Sequence, residues 1–348
     1  MSLYDAVRDL PLVVESYDVE LLELQARADF LRKTTVVRLQ GGGEEGIGED
    51  VTYDAAEHDR VLERGPDLAL AGDWTLDSFS EHLATLRLFA PEPERHVYLD
   101  YRRWAYESAA LDLALRQART SLGDAVGREP RRIAFVVSMG LGEPPATERF
   151  RSWLELYPAL RFKLDASPSW TDDLVASLAA TGAVDSIDFK GHYRGTTVET
   201  PPDAALYGRV AEGLPDAWLE DPALTDETIP VLEPHRNRVT WDAVIHSVED
   251  IEALRWPPRT VNVKPSRFGS VERLFAAYDY CAATGIGAYG GGQWELGPGR
   301  GQIQLLAALF HPDTPNDVAP REYNLEPRPG LPGSPLTVTP RETGFLAL

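Results

Sequence analysis

Apolar positions change their spacing several times along the chain. Around Leu12 to Val14, and again from Thr34 to Leu39, apolar and β-branched residues cluster as they do in strands. The run from Gly41 to Tyr53 is rich in glycine and glutamate and reads as a turn leading into a further strand. Segments 54–64 and 76–89 carry apolar residues at helical spacing. The first 95 or so residues therefore predict a small α+β unit. From Tyr101 to Leu122 the chain is strongly apolar, with Ala105, Ala109, Leu111, Leu113 and Leu115, and predicts a buried helix.

Beyond residue 130 a pattern of short strand, polar turn and helix recurs. Strand candidates lie at 132–137, 160–164, 185–189, 217–219, 238–241, 260–263 and 287–289, with a short final one at 317–319. Helical stretches between them are clearest at 171–182, 248–255, 270–284 and 302–310. Eight strands alternating with helices predict an α/β fold, a (β/α)-barrel of TIM type. An open doubly wound sheet is the alternative, but no glycine fingerprint follows the first strand. The expected division is an α+β capping domain at 1–98 and a catalytic barrel at 99–320, with a proline- and glycine-rich tail at 321–348 returning to the first domain.

The strand ends of a barrel meet on one face, where such proteins place their chemistry. Here the third candidate strand ends with Asp188, the fourth with Glu220, the fifth with Asp242 and the sixth with Lys264. Each spacing, 32, 22 and 22 residues, is about one β/α unit. Three carboxylates gathered at a barrel mouth repel each other unless a cation lies between them. Oxygen ligands suit a hard ion, Mg2+ first and Mn2+ second. Such an ion can hold a substrate carboxylate and stabilise the charge that grows as its α-proton leaves. Lys264 is then the expected base, its pKa lowered by the ion and by burial. Lys163 and Lys190 are candidates for a second acid or base, and Asp165 for a ligand, a lysine partner or a turn residue. His192 and His246 lie just past strand ends, where a lone histidine is more often structural. The turn from Tyr289 to Gly301 offers backbone amides at Gly291 and Gly292 before a helix, a setting that favours anions. Gln293 and Glu295 are the side chains expected to face substrate there.

Charge narrows the partners. Of 348 residues, 55 are acidic and 34 are Lys or Arg, giving a net charge of −21. Such a surface repels nucleic acid and anionic membranes, so a small carboxylate substrate is expected, held by a local positive site. No run of about 18 apolar residues is present. Cys281, the single cysteine, cannot form an internal disulfide, and a cytoplasmic location is expected. A symmetric homo-oligomer is the default assembly.

With these residues in view, the chain resembles the enolase superfamily over nearly its whole length. Arg38 to Tyr53 resembles the hairpin of that family's capping domain, and Trp104 to Ala114 its linking helix. Trp218 to Pro222 is similar to the fourth-strand motif whose glutamate binds metal, and Val261 to Pro265 to the sixth-strand lysine motif. The tail from Ser334 to Phe345 is similar to the closing segment of members near muconate-lactonizing enzyme and o-succinylbenzoate synthase, and Gly287 to Gly292 to methylaspartate ammonia-lyase. The resemblance implies a cap over a Mg2+ site held by Asp188, Glu220 and Asp242, with Lys264 as base or enolate stabiliser. It also implies specificity loops in the cap, expected near Asp18 to Glu23 and Glu44 to Tyr53. Where members near muconate-lactonizing enzyme carry Lys-x-Lys on the second strand, this chain has Lys163, Leu164 and Asp165. Lys190 stands where asparagine is usual, and Ala243 follows Asp242 in place of a frequent acid. A lyase or dehydratase is favoured, because β-elimination needs one base and one acid. A racemase, epimerase or cycloisomerase on the same site is the alternative, and a barrel that binds a metabolite without catalysis is the third reading.

Overall fold

The computed structural model describes residues 2–27, 30–193, 195–196 and 198–347. Two layers of antiparallel strands open the chain. Strand β1 (Pro11–Val14) pairs at a distance with β5 (Gly72–Thr75), while β2 (Ser16–Arg27), β3 (Phe30–Gly41) and β4 (Glu44–Asp50) form a meander. Gly42 and Gly43, with φ of 59° and 79°, make the two-residue turn between β3 and β4; both positions need the left-handed conformation that only glycine adopts cheaply. Sequence periodicity missed β2, since its alternation is of charged and apolar residues with both faces only half covered. Asp18 to Glu23, expected in a loop, lies in mid-strand, and most of Glu44 to Tyr53 is strand β4.

The long helix Val97–Gln117 begins and ends earlier than its apolar core suggested. It lies against β4, where Gly46 and Gly48 leave no side chain between the hairpin and the helix backbone at Ala105 and Ala109. Buried Asp112 ties three segments together: its carboxylate accepts the Ile47 amide at 3.0 Å and the Phe345 amide at 2.6 Å. The tail thus reaches the linking helix, and Gly344 pairs with Ser121.

The barrel follows. Strands β6 (Val136–Gly140), β7 (Arg161–Asp165), β8 (Val184–Asp188), β9 (Trp218–Glu220) and β10 (Val239–Thr240) form one parallel sheet in that order. A second parallel pair, β11 (Thr260–Val263) and β12 (Gly287–Gly290), continues it through the Asn262 amide, which donates to the Trp241 carbonyl at 2.9 Å. The expected eighth strand is reduced to bridges. The Asp317 amide donates to the Gly290 carbonyl at 2.8 Å, and the Val136 amide to the Asn316 carbonyl at 2.8 Å, which closes the ring. The expected first strand at 132–137 is displaced four residues, because Ile133 pairs with Leu336 of the tail instead. Helices Glu148–Leu156 and Ala204–Gly213 were not anticipated: short amphipathic stretches, they are fixed by burying Phe150 and Trp153, and Leu206, Tyr207 and Val210. No helix among the described residues is long and apolar enough to cross a membrane.

A buried polar network stands at the closure. Asn316 Nδ2 donates to the carbonyls of Ala134, His311 and Thr314, while its Oδ1 accepts the Gly290 amide at 2.6 Å. That leaves His311 Nδ1 to donate to the same oxygen at 2.6 Å and Nε2 to accept the Tyr278 hydroxyl at 3.1 Å. Burial pushes the His311 imidazole down to about 4. Its neutral form is favoured by folding, so its contribution is whole above pH 6.5 and is lost as pH falls toward 4. The difference amounts to about 3 kcal/mol. Urea denaturation at pH 7 and pH 4.5 should therefore show a steeper acid loss in wild type than in His311→Gln; equal losses would remove this network from the acid response.

Candidate functional site

Asp188 closes β8 and Glu220 closes β9, and the two face each other in register. Asp242 lies two residues past β10. All three are fully buried, and one oxygen from each lies within 4.8 Å of the others. The position of Asp242 is set by its neighbour in space. Asp221, held in the left-handed region at φ 50°, accepts the amides of Asp242 and Ala243, each at 2.8 Å. Sequence reading noted Asp221 only as part of a motif; its role as a clamp needs the fold.

Four cations converge on these acids. Lys163, on β7 and level with Ser186, reaches Asp188 at 3.1 Å and hydrogen-bonds Glu220. Lys190, left-handed at φ 53°, bonds Asp188 and lies 3.2 Å from Asp165. Lys264 donates to Asp242 Oδ2 at 2.7 Å. Arg267, which sequence reading missed, places Nη1 2.9 Å from Asp242 Oδ1. Two hydroxyls complete the set: Tyr193 donates to Asp242 Oδ2 at 2.9 Å and Tyr289 to Glu220 Oε2 at 2.7 Å. A basic residue two or three positions after a strand-end lysine was the available signal for Arg267. Nothing in the local pattern marks Tyr193 or Tyr289.

The electrostatics follow from this crowding. Burial, with Asp188 and Asp242 nearby, pushes the Glu220 carboxyl up to about 8 despite the pull of Lys163. Burial acts the same way on Asp188 and Asp242, but Lys190 and Lys163 hold the first, and Arg267 and Lys264 the second, well below the usual range. Burial alone would lower Lys163 and Lys190; the surrounding carboxylates instead raise both well above the ordinary value. The two lysines are firmly protonated and fill the space between the acids as a cation would. A donor set of three buried carboxylates, oxygen only and already organised around positive charge, fits Mg2+ or Mn2+.

The remaining candidates are spread along the turn after β12. Gly291 abuts Lys264: a Cβ there would lie 2.5 Å from Lys264 Cε and 2.7 Å from Asn262 Oδ1. A Cβ on Gly292 would run into the Glu295 carboxylate. Gln293 Nε2 donates to the Tyr101 hydroxyl of the linking helix at 3.0 Å, and Glu295 pairs with Arg300 at 3.1 Å. Asp165 is partly open and meets Lys190. The helix Pro298–Phe310 does receive an anion at its N-terminus, but one from this chain. Glu49, on β4, accepts the amides of Leu296, Gly297 and Gly299 at 2.7, 3.0 and 2.8 Å. The amides at this helix start are therefore taken by a carboxylate of the cap. His192 and His246 bond backbone carbonyls and do not join the acids.

Two family profiles match this chain: the N-terminal domain of a family described as "domain of unknown function (DUF8230)" over residues 5–125, and its C-terminal domain over residues 129–325. The chain belongs to the DUF8230 family. Its fold is that of the enolase superfamily. A member of that superfamily from Listeria innocua superposes with a TM-score of 0.62 at 18% identity, covering 89% of this chain and 86% of its own. A dipeptide epimerase from Enterococcus faecalis superposes with a TM-score of 0.69 at 14% identity, covering 97% and 99%. Among characterised sequences, an o-succinylbenzoate synthase from Geobacillus kaustophilus is 25% identical over 256 residues, or 69% of this chain. The match spans 65% of that relative's length.

For this DUF8230 protein, removing one cation from the cluster should be costly while no metal is bound. Lys163→Met leaves Glu220 without its ammonium and Asp188 with Lys190 alone, and should lower stability by about 3–5 kcal/mol. Millimolar Mg2+ should return more stability to the variant than it adds to wild type, as read by urea denaturation with and without the ion. Equal gains would mean that the ion does not take the place of the ammonium.

Proposed function

We propose that this protein is a Mg2+-dependent enzyme that removes the α-proton of a carboxylate substrate, and that it is a lyase of the o-succinylbenzoate synthase type. The observation that carries the reading is the placement of Lys163 and Lys264 around the acids. In an eight-position ring, β7 and β11 stand four positions apart, so the two lysines face each other across the mouth with Asp188, Glu220 and Asp242 between them. Held by one oxygen from each of those acids, Mg2+ would supply Lewis-acid stabilisation for the charge that develops on the substrate carboxylate. Lys264 is the group placed to take the proton. Lys163, which contacts Asp188 and Glu220 on the other side of the acids, is the group proposed to give a proton to a departing hydroxyl. Burial of the whole cluster excludes water, which strengthens each of these charge interactions.

The aspartate at 165 favours elimination over racemisation. A two-base isomerase of the muconate-lactonizing type places a lysine at that position, and here the ammonium comes from Lys190 on the next strand. The sequence similarity to o-succinylbenzoate synthase supports the same direction. An epimerase remains the second reading because two lysines do face each other, as a dipeptide epimerase shares the fold.

Incubation in deuterated water with Mg2+ and a panel of acid sugars, N-acylamino acids, dipeptides and dicarboxylates separates these readings. Loss of a leaving group supports the lyase, and exchange with retention of the substrate supports the isomerase. No exchange from any substrate would favour a metabolite-binding barrel. On the active substrate, Lys264→Ala should keep the fold and lower turnover about 10²-fold or more. Wild-type rates in that variant would remove Lys264 from the mechanism.

A further inference from the structure

Asn262 is 1% exposed, yet neither its Oδ1 nor its Nδ2 has a hydrogen-bond partner. Leaving a buried amide unpaired is costly, so such residues ask for an explanation. The contrast with Asn316, whose amide makes five bonds in the same barrel, is sharp. Asn262 lies two residues before Lys264 on the same strand, and the two side chains therefore project on the same side. Both reach one small space, the one a side chain at Gly291 would fill. A Cβ there would lie 2.7 Å from Asn262 Oδ1, 3.0 Å from Nδ2 and 2.5 Å from Lys264 Cε.

The other end of Lys264 is crowded. Its Nζ has one hydrogen bond among the described residues, to Asp242 Oδ2, at 2.7 Å. That oxygen also takes the Tyr193 hydroxyl at 2.9 Å and Arg267 Nη2 at 3.4 Å, and the second oxygen faces Arg267 Nη1 at 2.9 Å. A divalent ion that binds Asp242 through Oδ2 competes with these donors for that oxygen. The ammonium is the one with an unpaired acceptor beside its stem.

Resting on the metal site proposed above, we propose that Asn262 is a positioning residue for Lys264: its carboxamide oxygen receives the ammonium when a divalent cation takes Asp242 from it. Gly291 keeps the passage between the two positions open. The amide is unpaired in the ion-free arrangement because its partner is the lysine in the other arrangement.

The test is a double-mutant cycle in Mg2+ affinity, read by calorimetry on the full chain, which needs no substrate. Asn262→Leu removes the acceptor and should weaken Mg2+ binding about 10-fold, the scale of one lost charge-assisted hydrogen bond. In a Lys264→Met background the same substitution should change affinity less than about 2-fold, since no ammonium needs a place. Gly291→Ala blocks the passage from the other side and should repeat the pattern, which serves if Asn262→Leu does not fold. A merely structural amide would weaken binding equally in both backgrounds, and that additive result would overturn the inference while leaving the metal site standing. Failure of wild type to bind Mg2+ at all would overturn both.

Discussion

Three buried carboxylates within reach of one ion cannot stay ionised without positive charge among them, and this need shapes the barrel mouth. Asp188, Glu220 and Asp242 come from separate β/α units, yet their surroundings are arranged as one charge-balancing problem. Lys163, Lys190, Lys264 and Arg267 answer it, each from a different direction. Glu220, with only Lys163 close by, is the member left partly protonated, and it takes a hydroxyl from Tyr289 as well.

The cap is joined to that mouth by backbone chemistry rather than by apolar contact alone. Glu49 seats its carboxylate on the amides that open the helix Pro298–Phe310, where the helix dipole favours negative charge. Arg32, fully buried on β3, donates to the carbonyls of Val51 and Thr52 on its own side and of Gln293 and Trp294 on the barrel side. The turn that carries Gly291 beside Lys264 is thereby held at its far end by two charged residues of the cap. Position of the cap and position of Lys264 are linked through a stretch of four or so residues.

What could be read from the sequence was what repeats or what ends a strand. The acids and Lys264 fell at strand ends one unit apart, and that regularity placed them on one face before any coordinates. Lys163 could be assigned to a strand but not given a charge state, because its raised pKa comes from residues 25 to 154 positions away. Strand β2 was missed because a cap strand with two half-covered faces lacks the apolar alternation of a core strand. The amides that open the helix Pro298–Phe310 take their anion from Glu49 on β4, some 250 residues earlier, a pairing that composition alone does not reveal. Asp221 and Tyr193 act through distances that no local pattern encodes.

The substitution at position 165 makes sense within the same charge balance. In register, Asp165 stands level with Asp188, and Lys163 with Ser186 one layer below. A lysine at 165 would bring a third ammonium beside those of Lys163 and Lys190 and would take away the second carboxylate that Lys190 faces. An aspartate instead gives Lys190 a second carboxylate, at 3.2 Å, and lets it lie between two strands. Asp165 and Lys190 thus form one charge pair between the ends of two neighbouring strands, with Asp188 as the lysine's other partner.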